Sequence, residues 1–170
     1  MVGRRFVRAA FVLAGAVLLG AGSVASGAQP IADACAVTVA TRQTRPPARV
    51  PRSFDYGNAS IAVALNPPNG HLVAGRLPGG GWRATINPNG SIDAKYGWWR
   101  AGDDARLKIS GRRLDAAAPP LIADVPNGYG TGFQATNLRF PATGCWRVTG
   151  AFKSAKLAFT VRVTKSPLGP

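Results

Sequence analysis

Residues 144–163 read GCWRVTGAFKSAKLAFTVRV, and their alternation decides the fold class. Within residues 144–152, Trp146, Val148 and Phe152 fall on one side of an extended chain, with Cys145, Arg147 and Thr149 on the other. Within residues 156–163, Leu157, Phe159, Val161 and Val163 face one way, and Ala158, Thr160 and Arg162 the other. A period of two with one apolar side per arm is what a half-buried antiparallel sheet requires. Lys153-Ser154-Ala155 between the arms is short enough for a hairpin.

The same pattern extends upstream in shorter pieces. Ile61-Ala62-Val63-Ala64-Leu65 stops at Asn66-Pro67-Pro68-Asn69-Gly70, and Trp82-Arg83-Ala84-Thr85-Ile86 stops at Asn87-Pro88-Asn89-Gly90. Residues 91–96 place Ile92, Ala94 and Tyr96 on one face, and Arg106-Leu107-Lys108-Ile109-Ser110 alternates. Residues 121–125 follow Pro119-Pro120, and residues 133–140 precede Pro141. After Ala28 no apolar period of 3.6 is sustained; the one helix-like piece, residues 114–118, is halted by Pro119. With 21 Gly, 14 Pro and no Glu, the chain has little from which to build long helices. The expected fold is therefore all-β: an immunoglobulin-like antiparallel β-sandwich of six or seven strands over residues 91–164. Residues 53–90 are expected to add an N-terminal β-hairpin extension, and residues 165–170 a C-terminal tail.

The start of the chain reads as an address. Arg4, Arg5 and Arg8 precede an apolar run, AAFVLAGAVLLGAG, and small residues follow up to Ser26-Gly27-Ala28. That order describes a secretory signal peptide over residues 1–28. The run is too short and too rich in Gly and Ala for a membrane anchor, so no transmembrane span is expected after cleavage. The expected location is secreted or associated with the cell envelope. Two cysteines in an exported chain most often pair, which makes Cys35–Cys145 the expected disulfide, with lipid modification of Cys35 as the alternative.

The chain carries 21 Lys plus Arg against 7 acids, all Asp, for a formal charge of +14. Residues 29–52 are expected to form an extended, basic, Pro-rich segment. Its stretch TRQTRPPARVPR carries Arg42, Arg45, Arg49 and Arg52 among Pro46, Pro47 and Pro51, without an acid. Those four guanidiniums are candidates for binding polyanions. No nucleic-acid-binding motif accompanies them, so envelope polymers, glycans or acidic lipid headgroups are the expected partners, and a specific nucleic acid is not.

Several quoted runs form a recognisable series: Gly97-Trp98-Trp99-Arg100, Gly111-Arg112-Arg113-Leu114-Asp115, Pro119-Pro120-Leu121, Gly128-Tyr129-Gly130, Gly132-Phe133-Gln134 and Gly144-Cys145-Trp146-Arg147-Val148-Thr149-Gly150. In this order they resemble an uncharacterised family of small exported bacterial proteins with WWR, GRRLD…PPL, GYG…GFQ and GCWxVTG motifs. The resemblance covers most of residues 54–164 and implies export, but it carries no activity. Arg147 stands where that pattern has an acid, and the spacing from Gly130 to Gly132 is one residue short of it.

Catalytic material is scarce. His71 is the only imidazole and lies in a turn, so a Ser–His–Asp triad has little support. Paired carboxylates for glycoside hydrolysis would have to come from Asp93, Asp103, Asp104, Asp115 and Asp124. Asp103-Asp104, the only adjacent pair, reads as an exposed turn. No spaced Cys/His cluster or alternating-acid loop suggests a metal. Gly79-Gly80-Gly81 and Gly128-Tyr129-Gly130-Thr131-Gly132 lack the context of nucleotide loops, and no cofactor is expected. Trp98 and Trp99, being adjacent on a strand, face opposite sides of a sheet. One is expected to anchor the core while the other, beside Arg100, stacks on a sugar or a peptide.

Taken together these readings predict an exported, non-catalytic β-sandwich protein that binds anionic or glycan components of the envelope. The alternatives are a carbohydrate-active hydrolase or its accessory domain, and an extracellular inhibitor or assembly partner acting through a sheet edge.

Overall fold

The computed structural model describes residues 35–79 and 84–168. The expected signal peptide, the first residues of the basic segment and Trp82-Arg83 lie outside the described residues. The described chain is all-β. Its strands are β1 (Tyr56–Gly57), β2 (Ile61–Val63), β3 (His71–Ala74), β4 (Ala84–Ile86), β5 (Ile92–Arg100), β6 (Lys108–Arg113), β7 (Ile122–Asp124), β8 (Gly132–Phe140), β9 (Gly144–Phe152) and β10 (Ala155–Lys165).

These strands form two sheets. One has the order β1-β2-β5-β8-β7, with β4 also paired to β5; the other has the order β3-β10-β9-β6. β8 accompanies β5 from Ile92↔Phe140 to Arg100↔Gly132, so β2 and β4 share the opposite side of β5, at its two ends. β9 and β10 form the hairpin read from the sequence, with Trp146↔Val161 and Val148↔Phe159 in register. The connection is one residue tighter than expected. Ala155 already pairs with Phe152, and Lys153, at φ 54°, takes the left-handed conformation that a two-residue hairpin needs.

Two expectations are corrected by the pairing. The sandwich is not purely antiparallel, because β3 runs parallel to the end of β10, with His71↔Arg162 through Ala74↔Lys165. Residues 53–90 do hold an antiparallel pair, β1 with β2, but they are not an extension added to the sandwich: β1, β2 and β4 belong to the first sheet and β3 to the second. The turn at residues 66–70 carries the chain between sheets, and hydrophobic alternation does not encode that crossing. The basic segment differs from expectation as well. Instead of an extended strip, residues 41–54 make successive turns, with Val50 N–H donating to Pro47 O and Phe54 N–H to Pro51 O. Val50 and Phe54 are buried by docking on Ala62, Ala64 and Trp99. This explains why Ile61, Ala62 and Val63 are all buried, with no solvent face to alternate.

The core fills the space between the sheets. β5 contributes Ile92, Ala94, Tyr96 and Trp98, and β8 contributes Leu138 and Phe140; β9 and β10 answer with Trp146, Val148, Phe152, Phe159, Val161 and Val163. Aromatic pairs tie the layers, with ring centroids 5.5 Å apart for Tyr96–Phe159, 6.1 Å for Trp98–Phe159 and 5.7 Å for Phe140–Trp146. Cys35 is bonded to Cys145 with a Cα separation of 5.4 Å, which pins the first described residue to β9. Thr38 continues that anchorage by exchanging hydrogen bonds with the backbone of Thr160 in β10. Ser166 fixes the start of the tail, donating from its amide to Ala74 O and from its hydroxyl to Arg76 O.

Candidate functional site

Alternation along β5 separates the two tryptophans by face. Trp98 is fully buried between the sheets, whereas Trp99 is only half-buried and points to the outer face of the six-stranded sheet. Trp99 pairs directly with Phe133 of β8. Phe133 is 52% exposed, an unusual position for a large apolar ring. Gly97 makes room for it: a β-carbon there would stand 3.0 Å from the Phe133 ring, so the ring lies across a strand that offers no side chain. Phe54, delivered by the docked basic segment, has its ring centroid 6.4 Å from that of Phe133, and Tyr129 lies edge-on at 5.8 Å.

Between these rings is an apolar cleft of about 330 Å³, lined by Pro51, Ser53, Phe54, Ala64, Gly97, Trp99, Gly132 and Phe133. Arg52 lies between two lining residues and is exposed, as are Arg42, Arg45 and Arg49. The fold thus brings the expected stacking residue Trp99 to the same face as the expected basic segment. Phe54 and Phe133 were missed by sequence reading. An aromatic in a Gly-Phe-Gln step is a faint signal for Phe133, whose register partner is Trp99, and Phe54 has none without the tertiary fold.

Trp98 and Arg100 do not reach this face. Arg100 is only 3% exposed and points inward on the same side of β5 as Trp98. Its two terminal nitrogens donate to the carbonyls of Ala105, Tyr129 and Gly130, while its carbon Cζ lies 5.7 Å from the Phe152 ring centroid. Arg100 is thereby a strut between the loops at 101–106 and 126–130. A second cleft of about 370 Å³ lies outside it, with Asp103, Asp104, Arg106, Tyr129 and Gln134 among its lining.

Two of the five candidate carboxylates meet in this second cleft. Asp103 and Asp104 line it together, both exposed. The Lys153 ammonium, 2.7 Å from Asp104, holds that carboxyl below its usual range by hydrogen bonding, against a weaker effect of desolvation. A general acid for glycoside hydrolysis needs the opposite shift. Asp93 is likewise held low, by the paired Arg139 guanidinium at 2.7 and 2.9 Å. Burial pushes Asp115 up, but hydrogen bonds from Arg113 and the Cys145 amide outweigh it and leave the group lowered. Asp124 is exposed on β7, and His71 is exposed at the start of β3. Among the described residues no group of three or more His, Cys or Asp side chains is placed to hold a metal.

The sheet edges are short: two residues in β1, three in β7, four in β3 and six in β6. The longest, β6, has the carbonyl of Gly111 occupied by the Leu121 amide. Among the described residues no helix is long and apolar enough to cross a membrane. No family model matches the chain, and neither a curated protein nor a solved structure does so.

Proposed function

We propose that this protein is an exported, non-catalytic module that binds an anionic glycan of the cell envelope on the outer face of its six-stranded sheet. One observation carries the reading: Trp99 and Phe133 stand side by side on that face, over Gly97, with the arginine-bearing segment folded against them. Aromatic faces of this kind stack on the apolar side of sugar rings, and nearby guanidiniums pair with uronate, sulfate or phosphate substituents. The apolar lining and the exposed cation beside it favour a charged sugar over a neutral peptide. Export rests on the leader-like residues 1–28 and agrees with the disulfide. The grouping with small exported bacterial proteins belongs to the same proposal.

We also infer an immunoglobulin-like sandwich. The supporting observation is pairing order: β5, β8 and β7 follow B-E-D of that fold, and β10, β9 and β6 follow G-F-C. The disulfide departs from it, since Cys35 lies outside those strands.

The test is a binding screen of the processed protein against neutral and uronic-acid oligosaccharides at two salt concentrations. The expected result is preference for the acidic set, weakened by salt and reduced about tenfold or more by Trp99→Ala. Equal binding of all glycans, or none by any, would contradict the reading.

A further inference from the structure

On the outer face of the four-stranded sheet, remote from the aromatic cleft, Arg112 of β6 and Arg147 of β9 are directly opposed across the ladder. The next outward-facing pair is Ser110 with Thr149. Both arginines are exposed, and the four side chains line a shallow depression of about 290 Å³ together with the backbone of Gly111. Like charges placed directly opposite on a sheet repel one another, so such a pair is ordinarily selected against.

Among the described residues no carboxylate is paired with either arginine. Among the described acids, Asp93 is paired with Arg139, Asp104 with Lys153 and Asp115 with Arg113. Asp55 accepts the Leu65 amide. Asp103 lines the cleft beside Arg100, and Asp124 sits on the other sheet. The side chains facing outward around the pair from the packed strands add Lys108 of β6 and Thr160 and Arg162 of β10, again without an acid. Two forked donors and two hydroxyls lining one depression match the oxygens of a tetrahedral oxyanion, each guanidinium able to donate two parallel bonds.

We propose that Arg112, Arg147, Ser110 and Thr149 form a site for a phosphate group, separate from the glycan cleft and independent of that reading. Binding neutralises the opposed guanidiniums, so the free site is under repulsion that the ligand removes. Flat placement on a rigid two-strand ladder leaves room for either a free phosphate or one carried on a lipid headgroup.

The experiment is an amide NMR titration of the disulfide-bonded protein with sodium phosphate, referenced to sodium chloride at equal ionic strength, beside sedimentation with phosphatidylglycerol vesicles. Amides of residues 110–112 and 147–149 should shift with one saturable midpoint, which Arg147→Gln and Arg112→Gln each weaken about fivefold or more. Without phosphate, the exposed Arg147→Gln variant should melt no lower than the parent, and should lose the phosphate-dependent rise in melting temperature. A saturable phosphate response identifies a free or terminal phosphate. Arg147-dependent sedimentation without that response identifies a headgroup. Non-saturating shifts equal to those in chloride, with vesicle binding indifferent to Arg147→Gln, would overturn the proposal and leave two solvated side chains only.

Discussion

The indole of Trp98 in β5 lies against Cα of Gly150 in β9, filling the space that a β-carbon at position 150 would need. Both residues are buried, and they join the sheets at the middle of the sandwich. A small residue under a large ring is how facing layers interdigitate at interior packing density. Gly150→Ala forces the indole or the strand to move and is expected to cost about 1–3 kcal/mol. Gly130→Ala, at a position with open space around it, serves as the control. Urea unfolding of the two variants measures the difference; equal midpoints would show that the sheets are not locked at this contact.

The Cys35–Cys145 bond spans 110 residues of sequence. Closing a loop of that size restricts the unfolded chain and stabilises the fold by about 2–5 kcal/mol. Reduction should therefore lower the denaturation midpoint, and should loosen residues 36–40, which Thr38 otherwise ties to β10. A midpoint indifferent to reductant would contradict this.

Arg100 gathers three carbonyls from two loops in a buried setting. Arg100→Met leaves those acceptors without the donor and is expected to cost about 3 kcal/mol. Arg100→Lys should recover less than half, because an ammonium lacks the fork that reaches both loops. Hydrogen exchange at residues 101–106 and 126–130 reports the effect locally. Protection there unchanged in the Met variant would remove Arg100 from its structural role.

Three carboxyls, Asp93, Asp104 and Asp115, are held below their ordinary range in the folded state. Between the folded and unfolded values the unfolded chain binds more protons, so stability rises with pH in that window. The contribution is complete above the unfolded value of about 3.9 and is lost as acid carries the folded groups through their own lower values. The urea midpoint should fall from about pH 5 downward, and Asp115→Asn should flatten that limb more than Asp104→Asn, whose pair is exposed. An acid limb unchanged in both variants would contradict the assignment.

The hairpin of β9 and β10 was legible because each arm has one solvated and one buried side, which is the condition under which period two appears. β2 failed that condition, being covered on both sides by the core and by Val50 and Phe54. The parallel placement of β3 was hidden for a different reason: strand partners separated by some ninety residues leave no mark in a local pattern. In the candidate site, Trp99 was legible from its adjacency to Trp98, since neighbouring residues on a strand must face apart. Arg100 was read with it, but shares the inward side of Trp98, as parity on the same strand dictates. The clustering of Phe54 with Phe133 depends on docking of the arginine-rich turns, which composition alone described as an extended strip.

The most direct test follows the Trp99 side-chain indole N–H by NMR while a uronic-acid hexasaccharide is added. The account predicts a saturable shift of that resonance together with the amides of Gly97 and Phe133, lost in Phe133→Ala, with the buried Trp98 indole unmoved. A titration that shifts only the arginine-bearing residues 42–52, without saturation and abolished by salt, would contradict it.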